Sequence, residues 1–446
     1  RYSIAEYILQ QAKGAFKLLV ADEVHEYKAK SSDRGVAFHQ LIEATDATLT
    51  LTGTFFGGKS TSIFWLLHRL NAQVRQEFSF QDELRWAGLY GVLETTRKHK
   101  AGDGSSEDDG TFTGNRRYRD EAHEVPGISP AIVTRLLHNT IFLNLKDLGV
   151  NLPEYTESVV ALPMGEKQAP DYKGLEGLLR QMAKENSRYL SLWLQWALAR
   201  PNSAYRDEVV MVNHETITPN VLSAIADALL ESVNDAEPSE QHKHAAQILL
   251  DAARQAEEAI RRRTKPQQTK SELLPLPAVV IGNELLPKEQ WLVDFCKAEK
   301  AQRRKVLVYV RQTGTRDIQD RIEDTLRGAG LRVTTLYGNV DPRKREAWID
   351  RQADSLDVLI TNPRLVQTGL DLVAFSTVVF YEIEYSLYTL WQALRRVWRL
   401  GQVKPVKAIF TVYQNTLEEQ ALSLMGRKMR AAQLLYGDEV GGAIVE

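Results

Sequence analysis

The C-terminal third of this chain alternates short apolar runs with helical patterns, and that alternation restricts the folds available to it more than any other feature. The runs 305–310, 333–337, 356–361, 377–383 and 406–412 are rich in Val, Ile, Leu, Thr and Tyr and read as strands. After the first of them Ile318, Ile322 and Leu326 share one helical face, and Gly328 and Gly330 close the run. Asp341 followed by Pro342 suits an N-cap and a first helical turn, and Thr416 with Glu419 has the spacing of a capping box. Strand and helix in alternation predict a doubly wound α/β domain over residues 276–446.

The N-terminal region has the same pattern on a smaller scale. Residues 3–13 have helical spacing, and Leu18–His25 (LLVADEVH) reads as an apolar strand that ends in two carboxylates and a histidine. A helix is expected near 35–44, then a second strand over Ala47–Thr54 (ATLTLTGT). A parallel βαβ unit of this kind would set Asp22, Glu23 and His25 beside Thr52, Gly53 and Thr54. The carboxyl ends of strands are where α/β proteins present acids to a metal-bound phosphate ligand. An ordinary strand with a polar turn after it is the plainer reading of the same residues.

Gly53–Ser60 (GTFFGGKS) satisfies the phosphate-loop pattern G-x-x-x-x-G-K-[ST], and the helix-like run TSIFWLLHRL follows. Such loops work through backbone N–H groups and a lysine at a helix N-terminus. The order of elements favours a glycine-rich turn instead, because the loop here follows the acidic strand, whereas in phosphate-loop ATPases that couple to nucleic acid it precedes it. A true phosphate loop in a kinase-like fold is the alternative.

Further along, 99–117 is charged and glycine-rich without periodicity, which predicts an exposed loop, flanked by the arginine-rich NRRYR of 115–119. Between 165 and 275 long amphipathic stretches replace the short runs, including one that ends in Arg261, Arg262 and Arg263. His242 and His244 are two residues apart, so on a helix they do not face one another and do not form a metal pair. The expected organisation is a first α/β domain over 1–164, a helical insertion and linker over 165–275, and a second α/β domain over 276–446.

Charge and cysteine content narrow the function classes. Lys and Arg total 56 against 58 Asp and Glu, a net charge of -2, so any polyanion site is a local patch. Candidates are Arg343–Arg345, Arg395–Lys407 and Arg427–Arg430. The single cysteine, Cys296, excludes an intrachain disulfide and a multi-thiolate zinc site; it favours a reducing, intracellular (cytoplasmic) setting and suits a core position beside Leu292 and Phe295. No apolar run reaches the length of a membrane span.

The segment Gln392–Gln402 (QALRRVWRLGQ) places Gln392, Arg396 and Arg399 at spacings of four and three, one face of an expected helix. Ahead of it stands TNPRLVQTGLDL, a strand end followed by a glycine turn and Asp371. The acidic strand with His25, the Thr-Gly-Thr strand, the Thr-Gly-Leu-Asp turn and the paired arginines occur in the order found in superfamily 2 helicases and translocases of the DEAD/DEAH-box type. The chain resembles that superfamily over nearly its whole length outside the helical insertion. The R-x-G-Q ending and the insertion are most similar to its chromatin-remodeller-like branch and bacterial or phage relatives.

The resemblance implies two RecA-like doubly wound parallel-sheet domains, the first incomplete, with ATP and Mg2+ held at the cleft between them and double-stranded DNA as partner. It implies that Asp22 and Glu23 serve the metal and the attacking water, that His25 links the nucleotide to Thr52, Gly53 and Thr54, and that Arg396 and Arg399 are arginine fingers. Gly369, Asp371 and Gln392 would help close the nucleotide cleft, with Thr361, Thr368 and Gly369 near the nucleic-acid track. Departures from the family are Arg395, where Gly or Asp is usual, and a longer Thr361–Gly369 segment. The family's own phosphate loop is expected ahead of Arg1. A nucleic-acid-binding or scaffold subunit that does not hydrolyse ATP in this form is the rival expectation, and the helical insertion is a place for protein partners.

Overall fold

The structure, a computed structural model, describes residues 3–99, 118–143, 149, 152–206, 208–212, 218–230, 240–262, 272–276, 284–366, 370–436 and 442–445. The chain divides into two compact units, one of residues 1–152, 385–392 and 423–446, the other of 153–384 and 393–422.

In the first unit Ser3 caps α1 (Ile4–Gln11) by accepting the Glu6 N–H, and β1 (Leu18–Ala21) follows. Ser32 caps α2 (Asp33–Ala44) in the same way through Gly35 N–H, and α2 returns the chain to β2 (Ala47–Thr50), which pairs with β1 in parallel from Leu18↔Ala47 to Ala21↔Thr50. The expected βαβ unit is therefore present. One face of this strand pair packs on Phe38, Ile42 and Leu66 through Leu19 and Ala21. The other face leaves Leu18, Val20, Leu49 and Leu51 about half exposed. Next come α3 (Thr61–Leu70), α4 (Ala72–Glu77) and α5 (Glu83–Tyr90), wrapped around a buried aromatic cluster of Phe64, Phe78, Trp86 and Tyr90. The antiparallel hairpin β3 (Val92–His99) and β4 (Tyr118–Val125) and the short α6 (Val133–Leu136) complete this region. The expected exposed loop at 99–117 lies, from residue 100 on, outside the described residues.

The second unit opens on β5 (Tyr155–Leu162), then the helices α7 (Gln168–Glu185) and α8 (Leu190–Ser203), the strand β6 (Glu208–Val212), the helices α9 (Pro219–Leu230) and α10 (Glu240–Arg262), and β7 (Glu272–Leu276), antiparallel to β6. The four helices share a core of Tyr172, Met182, Trp196, Leu222, Ile225 and Leu249. The chain then runs through α11 (Pro287–Ala301), β8 (Val306–Tyr309), α12 (Gln319–Gly328), β9 (Val333–Leu336), α13 (Arg345–Ala353), β10 (Val358–Thr361), β11 (Thr377–Phe380), α14 (Leu387–Leu394), β12 (Val406–Tyr413) and α15 (Leu417–Tyr436), of which α14 up to residue 392 and α15 from residue 423 belong to the first unit.

Six of these strands form one sheet in the order β5-β12-β11-β8-β10-β9, every pairing parallel. The α/β class with a parallel sheet is as expected, and the helices of 168–262 are inserted between two strands of that sheet. Residues 155–162, which the sequence groups with the first domain, pair along their whole length with β12. Nothing in an eight-residue strand by itself says which sheet will take it. Strands β8, β10 and β11 are buried at every position, with Cys296 in the adjoining core as expected.

The order reverses at β8, with β9 and β10 to one side and β11 and β12 to the other. At this switch point Glu382, just past β11, accepts the N–H groups of Arg311 and Gln312, just past β8, at 2.7 and 2.8 Å. Among the described residues no helix is long and apolar enough to cross a membrane.

Candidate active site

The pairing of β1 and β2 continues one step beyond the strands, because Val24 N–H donates to Leu51 O at 3.0 Å. Asp22 and Glu23 therefore emerge beside Thr52. The strand expected to run to His25 is shorter: Val24–Tyr27 forms a single 3-10 turn, and Glu23 ahead of it has φ 48° and ψ 46°. A left-handed backbone at a non-glycine residue costs about 1–3 kcal/mol and needs local support. Asp22 supplies some of it, its Oδ1 accepting the Glu23 N–H at 2.8 Å. Behind the turn, the buried Arg69 of α3 donates to the carbonyls of Tyr27, Ala29 and Lys30 at 2.7–3.1 Å and holds the segment after His25.

His25 is buried and stacks on Tyr388 of α14, ring centroids 4.7 Å apart and planes 12° from parallel. Its Nδ1 lies 3.0 Å from Thr52 Oγ1 and 3.2 Å from Glu23 Oε2. The Thr52 hydroxyl donates its one proton to Thr54 O and accepts the Thr54 N–H, each at 3.1 Å. Thr52 Oγ1 can then only accept from His25, which puts the imidazole proton on Nδ1. Nε2 is left as the acceptor, 3.5 Å from Gln392 Nε2. A polar chain Gln392–His25–Thr52–Thr54 thus joins three segments that the sequence reading singled out separately.

Burial lowers the His25 pKa to about 4, helped by the Lys28 ammonium and opposed by Asp22. The ring is therefore neutral near pH 7. A folded-state pKa below the ordinary 6.5 means that the unfolded chain binds more protons between these values. The stabilisation from neutral His25 is complete above about 6.5 and is lost as pH falls through about 4. Urea midpoints of the full chain measured across that window should show this loss, and His25→Gln should remove it. An unchanged pH slope in His25→Gln would assign the acid response to other groups.

Asp22 is exposed and Glu23 half-buried. Among the described residues no three His, Cys, Asp or Glu side chains cluster as a metal cage. Magnesium ordinarily keeps several waters and takes one or two carboxylates together with phosphate oxygens, so Asp22 and Glu23 fit it without such a cage.

The phosphate-loop pattern at Gly53–Ser60 is resolved by a residue far away in sequence. Glu124 of β4 directs its buried carboxylate at the N-terminus of α3, where Ser60 N and Oγ each reach Oε1 at 2.6 Å and Thr61 N and Oγ1 donate to Oε2. Lys59 Nζ donates to the Glu124 carbonyl at 2.6 Å. The donors that the pattern would offer a phosphate are taken by this carboxylate, so the segment is a glycine-rich turn and the kinase-like alternative falls.

The arginine segment departs from expectation. The helix expected to carry Gln392, Arg396 and Arg399 on one face stops at Leu394. Leu394 O accepts from both Val397 N and Trp398 N, and Arg396 O accepts from Leu372 N, so the chain tightens into turns and the helical spacing ends. Arg399 is ion-paired with Asp371, while Arg395 is exposed. The Gln402 amide donates to Phe375 O at 2.9 Å and Val373 O at 3.1 Å, fastening the R-x-G-Q ending to the turn after Asp371. Thr361 is fully buried and its hydroxyl donates to Leu336 O, so it holds the sheet edge and is not open to nucleic acid. Thr368 and Gly369 lie outside the described residues.

Residues 287–401 match the helicase conserved C-terminal domain. That domain begins at the first residue of α11, includes strands β8 to β11 and ends one residue before Gln402, so its sheet is the RecA-like α/β sheet described above. Among curated proteins, the TATA-binding protein-associated factor mot1 of Schizosaccharomyces pombe is 27% identical over 155 residues, 34% of this chain and 8% of that protein. The chromatin-remodeling ATPase INO80 of Candida albicans is 24% identical over 184 residues, 39% of this chain and 13% of its own. The ATP-dependent helicase rhp16 of Schizosaccharomyces pombe is 28% identical over 155 residues, 34% of this chain and 17% of its own. The matches therefore span less than a fifth of these relatives' own length. A solved structure of the C-terminal part of the Fun30 ATPase domain has 14% identity and a TM-score of 0.40, covering 65% of this chain and 100% of that one. Over residues 287–401 the chain is similar to helicase C-terminal domains, and the curated proteins it resembles include a chromatin-remodeling ATPase and an ATP-dependent helicase.

Of the residues outside the sequence reading, Tyr388 was the most accessible to it, four positions before Gln392 and so on the same helical face. Glu124 had no signal, being 64 residues from its partner Ser60.

Proposed function

We propose that this chain is an ATP-driven helicase or translocase that moves along double-stranded DNA. The observation that carries this reading is the Gln392–His25–Thr52–Thr54 chain, which ties the acidic strand end to the Thr-Gly-Thr turn through a neutral histidine of fixed tautomer. Such a chain lets a change at the acids be felt at the turn, as coupling of hydrolysis to movement requires. The helicase C-terminal domain match supports the same class.

In this reading Asp22 and Glu23 would hold Mg2+, which would supply neutralisation of phosphate charge, and Glu23 would orient and deprotonate the attacking water. Arg396 and Arg399 stabilise the charge that develops on the transferred phosphoryl group. Asp371 holds Arg399 in place until a phosphate competes for it. Arg395, exposed beside them, contacts the nucleic-acid backbone without reading sequence. ATP turnover by the full chain, measured with and without double-stranded DNA, tests the proposal: stimulation by DNA is expected, and DNA binding with no turnover under any condition would sink it. That second outcome selects the rival reading of a non-hydrolysing binding subunit, which one observation favours: the phosphate-loop pattern at Gly53–Ser60 has its donors on Glu124.

A further inference from the structure

We propose that Lys28 and Lys428 of the first unit form a binding site for a phosphate oxyanion, separate from the acids at the end of β1. Lys28 follows the 3-10 turn directly, and the segment that bears it is fixed by the Arg69 guanidinium on the carbonyls to either side. Its half-buried ammonium sits 3.1 Å from the centroid of the Tyr388 ring, the ring that also stacks on His25. Among the described residues Lys28 makes no hydrogen bond and no ion pair with a carboxylate.

The charge that acts on it has the same sign. Burial, and after it the Lys428 ammonium, pull Lys28 down to about 8. Lys428 is held in place from two sides: its Nζ donates to Tyr385 O at 2.8 Å, and its stem lies so close to Gly58 that a Cβ there would meet Lys428 Cγ at 2.5 Å. Gly57 meets Tyr388 in the same way, at 2.7 Å. The backbone therefore lies directly against both the ring and the stem of the second lysine.

A cation–π contact offsets part of the cost of a desolvated ammonium, about 0.5–2 kcal/mol, but supplies no counter-charge. Two neighbouring ammonium groups on a fixed frame are complemented by an anion with several acceptor oxygens, and lysine is a point-charge binder of phosphate. The phosphate could belong to a nucleic-acid backbone or be free in solution, and the chemistry of recognition is the same. The site does not depend on ATP hydrolysis, so its failure and that of the motor reading are separate outcomes.

The test follows the Lys28 side-chain titration in the full chain through the carbon chemical shift of Cε. Sodium phosphate or a short double-stranded oligonucleotide should raise the Lys28 midpoint, and sodium chloride at matched ionic strength should not. A response to oligonucleotide where inorganic phosphate is silent assigns the phosphodiester, and a response to inorganic phosphate alone assigns the free ion. Phosphate affinity from calorimetry should fall at least about tenfold in Lys28→Met, about 1.4 kcal/mol, and be kept in Lys28→Arg. An unmoved Lys28 midpoint in both anions, or undiminished phosphate binding by a folded Lys28→Met, overturns the site.

Discussion

Lys288→Met is expected to destabilise the second unit by about 3–5 kcal/mol, the usual cost of stranding a buried charge. Lys288 is the second residue of α11 and is completely buried. Its ammonium is 3.0 Å from the Glu418 carboxylate, 3.2 Å from Asn202 Oδ1 and 2.8 Å from Tyr381 O. These partners come from the start of α15, from α8 and from the residue after β11, so one side chain ties the inserted helices to the sheet. Burial lowers the Lys288 pKa, and the Glu418 anion opposes that shift.

Without the cation, Glu418 keeps, among the described residues, Tyr413 N–H and the Asn202 amide, at 3.0 and 2.6 Å. Lys288→Met with Glu418→Gln should lose less than Lys288→Met alone, because no unpaired charge is then buried. Urea unfolding of the full chain reads both. A loss under about 1 kcal/mol, the level of a screened surface pair, would contradict the enclosure described. Glu382 in the same unit has its carboxyl pushed up to about 7, by burial first, against the N–H groups of Arg311 and Gln312. Its contribution is fully present below about 4.5 and is lost as pH rises through about 7, opposite in sign to that of His25.

The largest effect on activity is expected from Glu23→Gln, which should lower DNA-stimulated ATP turnover by about 10²–10⁴-fold, the range that a positioned general base supplies. Glutamine keeps the length and hydrogen-bonding capacity of the side chain and removes its basicity. The left-handed backbone at residue 23 is retained, since neither side chain relieves it. KM for ATP and affinity for DNA should change little, which separates loss of a base from loss of a binding surface. Turnover that survives Glu23→Gln within a few-fold would remove this residue, and with it the motor reading, from consideration.

The chemistry at the end of β1 was legible because it is local. Asp22, Glu23 and His25 follow an apolar strand, and the βαβ rule alone brings the Thr-Gly-Thr turn beside them. Gln392 was singled out by its spacing to the arginines, yet that spacing described a helix that ends at Leu394. What it touches is His25, a contact between residues 367 positions apart that no local pattern encodes. The phosphate-loop match at Gly53–Ser60 erred the other way. A pattern specifies donors at a helix N-terminus but not their acceptor, and Glu124 supplies one from inside the chain.

By itself the sequence determined the α/β class, the parallel strands with their polar carboxyl ends, the helical insertion and the buried Cys296, because hydrophobic period and strand–helix order are properties of neighbouring residues. The sheet that β5 joins, the tautomer of His25, the Asp371–Arg399 pair, the enclosure of Lys288 and the setting of Lys28 over Tyr388 were decided only by tertiary structure. Each depends on which distant groups desolvate a side chain and offer it a partner, and for buried polar atoms that outweighs any local preference.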